Sequence, residues 1–266
     1  MITRSSFSAR YKKVEDELKA RLEDYLRSQG EDEVHRLRTA IRRFDRGAGL
    51  LPASVRKRKQ LRRYRSRIRK LLRANNRIRD LDTIRSHLSP MTEDPRLAWL
   101  QGMLRSERAG LEGPARQAAS SIGRAPAVDW EKVTGRKLRR RFRKANRRMI
   151  DEIERDLGTV LKDPDDLQAL HSLRVTSKEL RYTMEFAAKG EVAGDIARGL
   201  RGWQDTLGMI RDIDNTTAYL GGLELSRDLA EVLQEKREQR RRLYLRFVDA
   251  NKRSRLPARM RSAVAR

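Results

Sequence analysis

Apolar side chains recur three and four positions apart along most of the chain, the spacing that lines one face of an α-helix. Tyr11, Val14, Leu18, Leu22, Tyr25 and Leu26 predict a first helix from about Ser8 to Ser28, closed by Gly30. In the next stretch, Glu33 to Arg46, Val34, Leu37, Ile41 and Phe44 fall on one side while His35, Arg38, Arg42 and Arg46 fall on another. That helix carries a core stripe beside a cationic stripe, and it is expected to end near Gly47 to Gly49, with Pro52 beyond. Leu61, Tyr64, Ile68, Leu71 and Leu72 predict a third helix from Ser54 to about Asn75, after which Arg79-Asp80-Leu81-Asp82 opens a short helix to Leu88. Pro90 and Pro95 are breakers, and a helix from Pro95 to Ser120 follows. Ser121 to Asp129, with its Gly, Pro and small residues, reads as a connection. Beyond it, helices are predicted from Trp130 to Leu157, from Ala169 onward behind a cap at Asp163-Pro164-Asp165, through the region 190–208, and from Ser226 to Asp249. Asn251 to Arg266 reads as a frayed basic tail.

Two of these stretches repeat each other. Laying His35 on His171 places Leu37 on Leu173, Arg38 on Arg174 and Arg42 on Lys178. The tetrapeptides Arg79–Asp82 and Arg211–Asp214 follow the two histidines by 44 and 40 residues. Motifs recurring in one order at nearly one distance indicate an internal duplication. The halves are residues 1–120 and 130–250, joined by 121–129, with 251–266 as the tail.

The stretches VHRLRTAIRRF and LHSLRVTSKELRY resemble the two signature helices of the CHAD family, H-x-x-R-x-x-x-[KR]. RIRDLD and LGMIRDID resemble that family's L-G-x-x-R-D-x-D segment, although the first is preceded by Ala74-Asn75-Asn76 where Leu-Gly is usual. The resemblance runs from about Ser5 to Asp249. It implies an all-α fold of two pseudo-symmetric antiparallel helical bundles with a basic central cleft that binds inorganic polyphosphate.

Charge narrows the partners independently of that resemblance. The 266 residues hold 63 Lys and Arg against 37 Asp and Glu, a net charge of +26, which favours polyanions and makes their binding salt dependent. Of the 63 cations 49 are arginines, whose planar guanidinium matches phosphate oxygens; a GC-rich genome is the other source of such a bias. Between Arg56 and Arg73 stand eleven cations and no acid, and between Arg136 and Arg148 nine. Because an apolar stripe persists beneath the first run, it reads as a structured helix, and something must offset its like-charge repulsion. There is no cysteine and no apolar run long enough to span a membrane, so no disulfide, thiolate metal site or membrane partner is expected. The first thirteen residues, rich in Arg and Ser and without acids, are similar to a transit peptide, but a helix with alternating charges follows at once and argues against targeting. A cytoplasmic protein, associated with polyphosphate granules, is the expectation.

His35 and His171 lack the spacing of paired metal ligands; each is either structural or a donor to a phosphate oxygen when protonated. Asp80 with Asp82, and Asp212 with Asp214, read as helix-start acids or partners of Arg79 and Arg211, not as metal ligands. Glu15-x-Glu17-x-Lys19 matches a triphosphate tunnel signature that belongs on a strand; its helical setting makes the match accidental. The candidate polyphosphate ligands are His35, Arg38, Arg42, Arg43 and Arg46, then Arg62, Arg69 and Arg73, which share a side, then Arg140, and finally His171, Arg174, Lys178 and Arg181. Neither a cofactor nor catalysis is called for. Nonspecific binding of RNA or DNA is the rival reading, weakened by only 14 aromatic residues, and a metal-dependent polyphosphate or triphosphate hydrolase ranks third.

Overall fold

The computed structural model describes residues 2–89, 98–186, 191–223, 227–252 and 254–265. The fold is all-α, and no strand occurs among the described residues. The helices are α1 Arg4–Arg27, α2 Glu31–Leu50, α3 Ala53–Arg56, α4 Lys59–Leu88, α5 Ala98–Ser120, α6 Gly135–Val160, α7 Leu167–Met184, α8 Glu191–Gly221, α9 Arg227–Lys252 and α10 Leu256–Ala265. A 3-10 turn at Trp130–Lys132 follows the irregular segment 122–129, where the sequence places its connection. The breakers at Pro90 and Pro95 lie outside the described residues.

The chain divides into two compact units. One comprises Met1–Asp82, Gly102–Lys144 and Glu185–Ala188; the other comprises Thr83–Gln101, Ala145–Met184 and Lys189–Arg266. In the first unit the predicted apolar stripes meet around a run of rings: Phe7 and Tyr11 of α1, Phe44 of α2, Tyr64 of α4, Trp130 and Phe186, with neighbouring centroids 5.3–6.3 Å apart. Gly47 is required there, because a Cβ at that position would stand 2.5 Å from the Phe186 ring. In the second unit the core runs through Ile150 and Ile153 of α6, Leu173 and Leu180 of α7, Leu200 and Trp203 of α8, Phe247 of α9 and Met260 of α10.

α1 begins earlier than its apolar spacing suggests. Thr3 caps it, accepting a bond from the Ser6 amide at 3.1 Å, and Phe7 in its first turn is buried. The arginine- and serine-rich start is therefore the first turns of a packed helix. Glu15, Glu17 and Lys19 lie on α1, so the tunnel-like match sits on a helix, as expected.

Three expectations need correction. First, α4 is one helix of 30 residues, running through Asn75 and Asn76 and on past Asp82. Asparagine is a poor residue for a helix interior because its amide competes with backbone bonding. Here Asn75 is buried: its amide donates to Leu71 O at 3.1 Å and its oxygen accepts from Tyr25 Oη at 3.0 Å, so no competing demand remains. The acids of both RDxD motifs are consequently mid-helix, on α4 and on α8, and are not caps. Asp82 and Asp214 pair instead with distant arginines, Arg108 and Arg240, each at 2.6 Å and each 26 residues downstream. The second nitrogen of each arginine reaches back to the loop before a signature helix, Arg108 to Gln29 O at 2.5 Å and Arg240 to Pro164 O at 3.0 Å. The same clamp thus occurs twice, once beside each signature helix. Second, α7 is capped by Asp166, which accepts from the Ala169 amide at 2.8 Å; Asp163 instead closes a turn onto the Asp165 amide. Third, the supposed frayed tail is α10, with Leu256 and Met260 buried and Arg261 paired with Glu154 and Asp151.

The clamp has a measurable consequence. The Asp82 side chain is 0% exposed and that of Arg108 only 12%. Arg108→Met is expected to lower the unfolding free energy by about 3–5 kcal/mol in urea, because it strands a buried carboxylate, whereas Asp82→Leu with Arg108→Met should recover most of the loss. Met260 is fully buried, so Met260→Ala should cost about 2–5 kcal/mol in the same assay; a frayed tail would show no loss.

Candidate anion-binding site

The cations of α4 cannot all be accommodated by local chemistry, since like charges three or four apart on a helix each cost about 0.2–0.5 kcal/mol. Asp45 of α2 offsets part of this repulsion. It accepts from Arg65 Nε at 2.8 Å and from Arg69 Nη2 at 2.8 Å. Pro52 and the short α3 bring Arg56 and Lys57 to the same face. The result is an open depression of about 510 Å³ lined by Arg56, Lys57, Arg62, Arg65, Ser66, Arg69 and Arg73. Its lining contains six cationic side chains, one hydroxyl, no carboxylate and no aromatic ring. Arg62, Arg69 and Arg73, placed on one side by their spacing, are indeed brought together.

The amino-terminal part of α6 extends this cationic field. Arg141 donates to Gly49 O at 2.8 Å, and burial first, then Arg56, Arg140 and Arg65, hold its guanidinium below the ordinary arginine value. Desolvation leads that shift, and the three neighbouring guanidinium groups add to it in the same direction. The Nε groups of Arg56 and Arg141 are both buried without a hydrogen-bond acceptor. An unanswered charged donor costs free energy until an acceptor arrives, and phosphate oxygens are suited to the task. Arg62, Arg73 and Arg140 are exposed and have no carboxylate partner among the described residues.

On α2 the signature cations have different surroundings. Arg38, 8% exposed, donates to Asn76 Oδ1 at 2.7 Å and Leu72 O at 3.3 Å, so it fastens α2 to α4. Arg43 lies between Glu17 at 3.0 Å and Glu185 at 3.1 Å, and its guanidinium is committed to that carboxylate pair. Arg42 and Arg46 are half-buried and His35 is exposed on the same helix. In the second unit, α7 carries His171, Arg174, Lys178 and Arg181. Arg181 is anchored to Gln204 Oε1 at 2.8 Å, with its guanidinium carbon 4.8 Å from the Tyr182 ring centroid. Burial, then Arg174 and Arg211, push His171 below the usual histidine value. Without a ligand the neutral imidazole is thus favoured, and the expected role as a protonated donor requires an anion to reverse the shift.

Sequence reasoning missed Arg56, Lys57, Arg65, Arg141 and Arg211. Arg56, Lys57, Arg65 and Arg141 belong to the two polybasic runs and Arg211 to the RDxD motif, so the signal was present, but nothing local distinguishes them from their cationic neighbours.

The family model for the CHAD domain matches residues 9–221. The chain belongs to the CHAD domain family. Among solved structures, the CHAD domain from the plant Ricinus communis is similar over 100% of this chain and 92% of its own, with a TM-score of 0.66 and 18% identity. PptA from Streptomyces chartreusis is similar over 93% of this chain and 98% of its own, with a TM-score of 0.55 and 14% identity. At those identities the likeness concerns the CHAD fold. No curated protein sequence matches the chain. No described helix is long and apolar enough to cross a membrane. Nor do the described residues contain a group of three or more His, Asp or Glu placed to hold a metal ion.

The electrostatics at α7 yield a pH prediction. His171 should titrate below 6.5 by NMR, and Arg174→Gln or Arg211→Gln should raise its midpoint. Since the folded value is depressed, the unfolded chain takes up the proton first as pH falls. His171's contribution to stability should therefore decline as pH drops from 6.5 toward the folded midpoint. A midpoint at or above 6.5 would remove the arginines from the account.

Proposed function

We propose that this CHAD protein binds inorganic polyphosphate without catalysing its turnover, through the arginine-lined face of α4 and α6 and the cations of the signature helices α2 and α7. The CHAD family is linked to polyphosphate and triphosphate binding. The observation that carries the reading is the composition of the depression, six cations and a serine with neither carboxylate nor aromatic ring. A linear phosphate chain offers a charged oxygen-rich group at every repeat and has no base to stack, so it suits such a lining better than RNA or DNA does. We place this activity in the cytoplasm, in association with polyphosphate granules.

Within this reading Arg38 and Arg43 are positioning residues, because their guanidinium groups already hold α2 against its neighbours. The exposed cations Arg62, Arg73 and Arg140 contact the ligand. His171 adds a proton-linked contact: an anion beside it offsets Arg174 and Arg211 and raises its affinity for a proton, so binding tightens as pH falls below neutrality.

Competition between long-chain polyphosphate and duplex DNA, matched in phosphate and followed across a salt series, tests the proposal. Polyphosphate should remain bound at salt that removes DNA; loss of both with similar slopes would favour nonspecific nucleic-acid binding. Arg62→Gln with Arg73→Gln and Arg140→Gln should weaken polyphosphate binding at least tenfold with melting temperature nearly unchanged. The slope of log affinity against log salt should fall by about 2–3, near 0.7–0.9 for each phosphate contact removed. Release of orthophosphate during incubation would instead return the hydrolase reading.

A further inference from the structure

The second unit has a pocket of different chemistry. It measures about 580 Å³ and lies between α8, α9 and α10. On α8, Gly199, Gly202, Trp203 and Thr206 line it at helical spacing. The two glycines do different things. A Cβ on Gly199 would stand 2.9 Å from both methyl carbons of Leu256, so glycine there lets α10 pack against α8. A Cβ on Gly202 would meet nothing within 4 Å, so its absence leaves the pocket open.

The floor is the margin of the unit's apolar core, where Leu256, Trp203 and Phe247 line the pocket with only 9%, 5% and 2% of their surface exposed and the two ring centroids lie 5.9 Å apart edge-to-face. The rim is cationic. Asp195 is the pocket's carboxylate, and it is already held by Arg198 and by Arg259, the latter at 3.1 Å. Arg246 and Arg255 are exposed and have no ion pair among the described residues. An apolar floor below two available guanidinium forks suits a ligand with an apolar body and one phosphate. Polyphosphate has no such body, and the α4 depression has no such floor.

We propose that this pocket binds a small, flat organic phosphate, with its body over Trp203 and Phe247 and its phosphate between Arg246 and Arg255. Calorimetric titration of the full chain with AMP, adenosine and inorganic phosphate tests this. AMP should bind at least tenfold tighter than either fragment. Gly202→Leu, which places a side chain in the open space, and Arg246→Gln with Arg255→Gln should each weaken AMP at least tenfold, whereas the triple α4 and α6 substitution should leave it unchanged. AMP binding no better than phosphate would overturn the proposal, as would binding lost with the α4 and α6 cations and retained in Gly202→Leu. If Gly202→Leu melts early, the exposed Arg246 and Arg255 pair decides alone.

Discussion

Mutual repulsion is the constraint to which the fold responds. A chain of net charge +26 can pack its helices only if its few acids stand where cations would otherwise be forced together. Asp45 bridges α2 to Arg65 and Arg69 of α4, Glu17 and Glu185 enclose Arg43, and Asp82 and Asp214 lie beneath Arg108 and Arg240. In each case the carboxylate joins elements as well as lowering local charge. Partly buried pairs such as these fix helix register more than they add stability, because desolvation consumes much of the Coulomb attraction.

Where acids are missing, the repulsion persists and becomes chemistry. The α4 face collects cations from α3 and α4, and Arg141 of α6 feels Arg56, Arg65 and Arg140 at once. The apolar underside of that face, with Ile68 and Leu71 buried, holds the backbone that carries these cations in place. In the second unit, burial and then Arg174 and Arg211 favour the uncharged ring of His171.

The two units also differ in how they use glycine and aromatic residues. In the first, Gly47 admits the Phe186 ring to a closed aromatic core. In the second, Gly199 admits Leu256, while Gly202 leaves open space above Trp203. One residue type thus closes one core and opens a pocket in the other, according to what the neighbouring helix presents.

The sequence by itself determined the helices, their buried faces and the alignment of Arg62, Arg69 and Arg73, because helical periodicity is local and fixes which side chains share a side. It also carried the family, through short motifs whose order survives. Tertiary structure decided the rest. Asn75 does not break α4 because Tyr25, fifty residues earlier, donates its hydroxyl to the Asn75 amide oxygen; Asp82 is no cap because Arg108 reaches it; and the last residues are no tail because α8 and α6 offer Leu256 and Arg261 a surface and a carboxylate. Arg140 and Arg141 are equivalent in the sequence, yet only Arg141 is anchored on Gly49 O. Partner choice depends on which groups arrive from distant parts of the chain, and no local pattern encodes that.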